Sequence, residues 1–228
     1  MQRQRARKRN HETARVTINF LGDSITEGVG ASSVSKRYTD VLEREFGLLK
    51  ANNYGVGGSR IARQTVMTDA PHDRDFCMRM FEMDKNADAV VVFGGTNDYG
   101  HGDAPLGTPN DRTPATFWGA CHYLMDNLLT IYTGKPIAIL TPLHRDNEED
   151  PRGDGVKPSD VAPLCVYRNI LIEVAQYYAL PVLDLYAVSG IQPKNARCRE
   201  LLLPDGLHPS DAGYAILARK ICLFLQSL

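Results

Sequence analysis

Five short apolar runs, separated by longer stretches of helical periodicity, constrain this chain more than any other feature. VTINFL (16–21), LKANNYGV (49–56), AVVVFGG (89–95), PIAILTPL (136–143) and PVLDLY (181–186) read as strands. The second is the weakest, because asparagine is poor in strands. The runs are too continuous to leave one face wet, so both faces of the sheet are expected to be covered. Residues 38–47, 113–134, 159–179 and 210–228 read as helices. Thr113 and Pro114 open the second of these and Gly134 closes it, as start and stop signals should. Its Phe117, Cys121, Leu124 and Leu128 form a core stripe, with Trp118 beside it. Strands alternating with helices predict an α/β fold. The expected form is a three-layer α/β/α sandwich around a small parallel sheet of about five strands, joined by right-handed crossovers.

Composition narrows the function classes. With 228 residues, 43% of them hydrophobic, the chain can build one sizeable core. Residues 15–228 therefore read as a single domain behind a basic tail, 1–14. A net charge of -1 argues against general affinity for nucleic acid or an anionic membrane. No apolar run approaches the roughly 20 residues of a membrane span. MQRQRARKRN at the start has no apolar segment behind it, so it reads as a solvated terminus rather than a secretory signal. The expected location is cytoplasmic. The five cysteines (77, 121, 165, 198, 222) are odd in number and contain no C-x-x-C pair. Neither a cysteine zinc site nor a disulfide framework is expected; buried free thiols are.

Ligands of such sheets bind outside the carboxyl ends of the strands. Ser24, in INFLGDSITEG (18–28), lies just past the first strand. It can be a nucleophile or the cap of the helix that follows. Gly57 and Gly58 lie past the second strand and Asn97 past the third. Their N–H groups could meet a developing oxyanion, and all three also fit as turn or cap residues. In LLLPDGLHPSDAGY (201–214), Asp205 precedes His208 by three residues. That spacing lets the carboxylate reach Nδ1 and leaves Nε2 for a hydroxyl. A loop of turn formers leading into a cap at Ser210 or Asp211 explains it equally well. His122 neighbours the apolar stripe and reads as structural.

Together these segments resemble the SGNH, or GDSL, family of serine esterases and lipases. GDSIT (22–26), NYGVGG (53–58), GGTND (94–98) and DGLHP (205–209) match four of its blocks in order. The resemblance implies the flavodoxin-like SGNH hydrolase fold and an SGNH hydrolase-like catalytic domain over 15–228. It makes Ser24 the nucleophile, with Asp205 and His208 completing the triad. Oxyanion donors would come from Ser24, Gly58 and Asn97. The implied reaction is carboxylic ester hydrolysis through an acyl-enzyme, with no metal or organic cofactor. The G-x-S-x-G elbow of the ordinary α/β-hydrolases is absent around Ser24.

The long connections 99–114 and 144–160 run past the same strand ends and are polar. They favour a small-molecule ester with a short acyl group, such as acetyl, on a polar alcohol such as a carbohydrate. His101, His144 and Arg145 are candidate contacts at that rim. The same triad would also serve a lipolytic esterase or lysophospholipase, a thioesterase, or an acyltransferase. A reading of another class is a flavodoxin-like phosphate- or cofactor-binding module using GVGASS (28–33). No P-loop or G-x-G-x-x-G fingerprint supports it.

Overall fold

AVVVF is buried at every position, and that burial organises the molecule. The computed structural model describes residues 16–228; the basic tail assigned to 1–14 lies outside the described residues. The strands are β1 (Thr17–Gly22), β2 (Lys50–Gly55), β3 (Ala89–Phe93), β4 (Ile137–Leu140) and β5 (Val182–Leu183). They form one parallel sheet in the order β2-β1-β3-β4-β5. Side chains alternate across its two faces. Val90, Val92, Ile137 and Ile139 enter one apolar cluster; Val91, Phe93, Ala138 and Leu140 enter the other.

Each cluster is closed by helices, giving the three layers expected. On the first face lie α3 (Phe76–Arg79), α5 (Phe117–Ile131) and α6 (Leu164–Tyr177), contributing Phe76, Leu124, Leu128, Leu171 and Val174. On the second lie α2 (Tyr38–Phe46) and α9 (Asp211–Leu225), contributing Val41, Leu42, Leu217 and Ile221. Each such side chain stabilises the fold by about 1.5–3 kcal/mol on burial. The remaining α-helices are α1 (Ser24–Glu27), α4 (Thr96–Gly100), α7 (Leu185–Val188) and α8 (Ala196–Leu202).

The asparagine-rich β2 forms because its amides have partners. Asn52 donates to the buried Asn19 of β1 at 2.9 Å. Asn53 donates to the Thr26 carbonyl and to the Thr39 hydroxyl, at 2.6 and 3.0 Å. Helix starts differ from the sequence reading. α5 begins at Phe117 rather than 113, because Thr116 caps it through the Gly119 N–H. α6 begins at Leu164 rather than 159: proline disfavours helical backbone in the residue before it, and the N–H groups of Val161 and Ala162 turn back to the Pro151 carbonyl. β5 shrinks to two residues because Asp184 caps α7 immediately after it. Cys77, Cys121 and Cys222 are buried; Cys165 and Cys198 are partly exposed, and all five are free thiols.

Candidate active site

The register aligns Gly22 with Gly55 on one side and Phe93 on the other, so the strands end in one row. α1 starts at that row. Its cap is Asp23, whose carboxylate accepts the Ile25 N–H at 3.0 Å. The Ser24 hydroxyl is therefore not spent on capping. α1 crosses so close to β2 that a Cβ on Gly55 would lie 2.1 Å from the Glu27 backbone nitrogen, which only glycine permits.

Ser24 Oγ lies 3.0 Å from His208 Nε2. His208 Nδ1 lies 2.6 Å from Asp205 Oδ2. The other oxygen, Oδ1, accepts the N–H groups of Leu207 and His208 at 2.9 and 2.7 Å. Burial pushes the Asp205 carboxyl up, but those hydrogen bonds and the imidazole outweigh it and hold the acid below its usual range. An ionised Asp205 favours the tautomer with Nδ1–H, which leaves Nε2 to accept the Ser24 hydroxyl. Two struts hold this loop against the segment after α1. Asp211 accepts from the Ser32 N–H and hydroxyl at 2.8 and 2.6 Å, and the Tyr214 hydroxyl donates to the Val29 carbonyl at 2.8 Å.

Gly58 follows β2 in left-handed backbone, φ 74°. Among the described residues no acceptor meets its N–H. Asn97 lies in α4, buried, and one proton of its side-chain amide goes to the Ser59 carbonyl at 3.0 Å. The second amide proton remains available. Next to Asn97, the buried Asp98 accepts the N–H groups of Ile61 and Ala62 at 2.9 and 2.8 Å. α4 is thereby tied to the loop that carries Gly58. Lys157 reaches in from the long 144–160 connection to the Asp98 carbonyl and the Tyr167 hydroxyl, both at 2.8 Å. Burial pushes its ammonium down to about 8.

The rim candidates separate. His101 Nε2 lies 3.3 Å from the Gly58 carbonyl and Nδ1 3.8 Å from Asp154. His101 thus lies against the Gly58 backbone. Arg145 is buried at 6% exposure, its guanidinium on Asp154 and on Thr96. It secures the loop from beneath instead of facing solvent. His144 pairs with the buried Glu148 at 2.8 Å and lies against Tyr186, ring centroids 3.7 Å apart and planes tilted by 38°. His72 was not among the sequence candidates. It lies against Gly58, where an added Cβ would be 3.4 Å from its own Cβ. The clue available was the length of the connection after the second strand. His122 is buried, as its neighbourhood in sequence suggested.

The family model for the GDSL-like lipase/acylhydrolase family matches residues 20–216. The chain belongs to that family of ester hydrolases. Among solved structures, a protein from Lactobacillus plantarum is 29% identical, with a TM-score of 0.79 over 93% of this chain and 97% of that one. The lipase/acylhydrolase from Enterococcus faecalis is 25% identical, with a TM-score of 0.63 over 93% and 96%. A two-domain esterase active on acetylated mannans is 20% identical, with a TM-score of 0.64 over 98% of this chain and 52% of its own; it shares the fold. A search of curated protein sequences found no match.

Among the described residues no helix is long and apolar enough to cross a membrane. Nor does any group of three or more His, Cys, Asp or Glu there form a candidate metal site. An apolar cavity of about 280 Å³ lies at the opposite, amino-terminal edge of the sheet, lined by Val16, Ile18, Phe46 and Leu225 among others. It is remote from Ser24.

Proposed function

We propose that this GDSL-family hydrolase cleaves short-chain carboxylic esters, acetyl esters of a polar alcohol such as a carbohydrate above all, through a Ser24–His208–Asp205 triad. The observation that carries the reading is the unbroken chain of contacts from Ser24 Oγ to His208 to Asp205, at 3.0 and 2.6 Å. Ser24 Oγ attacks the ester carbonyl carbon as His208 Nε2 takes its proton. The tetrahedral oxyanion is met by the N–H groups of Ser24 and Gly58 and by the free amide proton of Asn97. As the C–O bond breaks, His208 gives its proton to the departing alcohol. Water, deprotonated by His208, then attacks the acyl carbon; the bond to Ser24 Oγ breaks, His208 returns the proton to Oγ, and the acid leaves.

The preference for a small acyl group and a polar alcohol rests on the side chains around Gly58. His72, His101 and Asp154 are partly exposed there, and Glu27 holds the Gly57 N–H at 2.7 Å. A two-domain esterase that shares this fold is active on acetylated mannans, a precedent for acetylated sugars in a protein with this fold. Turnover of p-nitrophenyl acetate, butyrate and octanoate, followed by acetate release from an acetylated oligosaccharide, tests the preference. Falling kcat/KM with chain length and release from the sugar are expected. Preference for octanoate with no release from the sugar would retain the triad and reject the substrate class.

Asn97→Ala is expected to lower kcat by about 10²–10³-fold with little change in KM, because the amide acts on charge present only in the transition state. Steady-state kinetics on the acetate ester check this. An unchanged kcat would remove Asn97 from the oxyanion hole.

A further inference from the structure

Arg79 belongs to none of the four motifs, yet its guanidinium touches the frame of all three oxyanion donors. It is the last residue of the short helix α3 and is 6% exposed. Nη1 donates to the Tyr54 carbonyl at 2.6 Å. Nη2 donates to the Gly22 carbonyl at 3.0 Å and to the Ser59 hydroxyl at 2.7 Å. Nε donates to the Arg74 carbonyl at 2.9 Å, and the Phe76 ring lies under Cζ at 5.0 Å.

Each acceptor of the fork lies close in sequence to one donor. Gly22 is two residues before Ser24. Tyr54 is the penultimate residue of β2, which leads to Gly58. Ser59 follows Gly58, and its carbonyl orients the Asn97 amide at 3.0 Å. A planar fork with fixed donor directions holds three acceptors in one relative geometry; an ammonium on a flexible stem does not. Burying a guanidinium carries a desolvation penalty that an apolar side chain at the same place would avoid. Burial pushes Arg79 down to about 10, partly offset by the nearby Asp23, which burial pushes up to about 7. A charged group held at that penalty, with both terminal nitrogens donating to these segments, needs an explanation beyond packing.

The geometry points to Arg79 as a positioning residue for the oxyanion hole: it fixes the spacing of the Ser24 N–H, the Gly58 N–H and the Asn97 amide, and so acts on the transition state without touching substrate. This rests on the triad and oxyanion reading above. Loosening the fork would leave ester binding intact and weaken the grip on the tetrahedral oxyanion.

The test compares Arg79→Met, Arg79→Lys and Ser59→Ala with the native chain, using p-nitrophenyl acetate. Rates are counted per active site titrated with a fluorophosphonate, and phenylboronic acid serves as the tetrahedral mimic. Arg79→Met is expected to lower kcat per titrated site by about 10–100-fold, less than a lost donor, with KM within about threefold. The inhibition constant of phenylboronic acid should rise in step with the loss of kcat. Arg79→Lys should recover part of the loss. Ser59→Ala, which leaves the arginine in place, should lower kcat by several-fold and keeps the question answerable if Arg79→Met does not fold. A purely structural arginine would reduce melting temperature and the number of titratable sites while kcat per site stayed within twofold of native in every variant; that result overturns the proposal. Ser24→Ala run alongside separates the two readings. Turnover surviving in Ser24→Ala overturns the triad and this role together. Loss in Ser24→Ala with native kcat per site in the Arg79 and Ser59 variants overturns this role alone.

Discussion

Ser24→Ala is expected to lower ester turnover by about 10⁴–10⁶-fold, the scale on which nucleophile loss operates in serine triads. The fold should survive the change. Ser24 does not cap α1, since Asp23 does, and the single side-chain partner of its hydroxyl among the described residues is His208. Its removal leaves Asp205 and His208 paired through the same loop. Kinetics on p-nitrophenyl acetate together with thermal unfolding check both halves. A variant that unfolds at the native temperature and turns over within tenfold of native would exclude Ser24 as nucleophile.

Asp205→Asn is expected to have the second-largest effect, about 10²–10⁴-fold in kcat. The amide oxygen can still accept the Leu207 and His208 N–H groups, so the turn is kept. The amide NH₂ then faces Nδ1 and stabilises the tautomer with the proton on Nε2. That nitrogen can no longer take the Ser24 proton. The same substitution in a buried serine-protease triad costs about 10⁴. Here the Asp205 side chain is 55% exposed, so water competes for Nδ1 and the loss is expected toward the lower end. An unchanged kcat would assign the orientation of His208 to another group.

Much of this was legible in the sequence, for reasons that differ by element. β3 was plain because a strand buried on both faces must be apolar throughout, and AVVVF is. β2 was faint because its stabilisation comes from amide hydrogen bonds to Asn19, Thr26 and Thr39, residues distant along the chain. The start of α5 was misplaced because Thr113 and Thr116 both carry a capping hydroxyl; Thr116 caps α5, and the Asp111 carboxylate also accepts its hydroxyl at 2.7 Å.

The site shows the same division. Ser24, Gly58, Asn97, Asp205 and His208 were singled out by the resemblance of four ordered blocks to the SGNH family, while local spacing alone left cap and turn readings open for each. The choice between cap and nucleophile for Ser24 could not be made locally, because it turns on which of two adjacent side chains reaches the Ile25 N–H. Arg145, read from sequence as a rim contact, is buried beneath the loop instead. A charged residue in a polar loop is ordinarily solvated, and its burial depends on Asp154 folding back over it. Arg79 and Lys157 were invisible for the same reason, and so was the role of Asp98 at the end of GGTND: their partners are carbonyls and N–H groups of other segments.

Covalent labelling of the native chain with a fluorophosphonate, followed by peptide mapping by mass spectrometry, addresses the nucleophile itself. One phosphonyl adduct, on Ser24, with loss of labelling in His208→Ala, is the expected outcome. A stoichiometric adduct on any other residue, or labelling undiminished in His208→Ala, would contradict the triad.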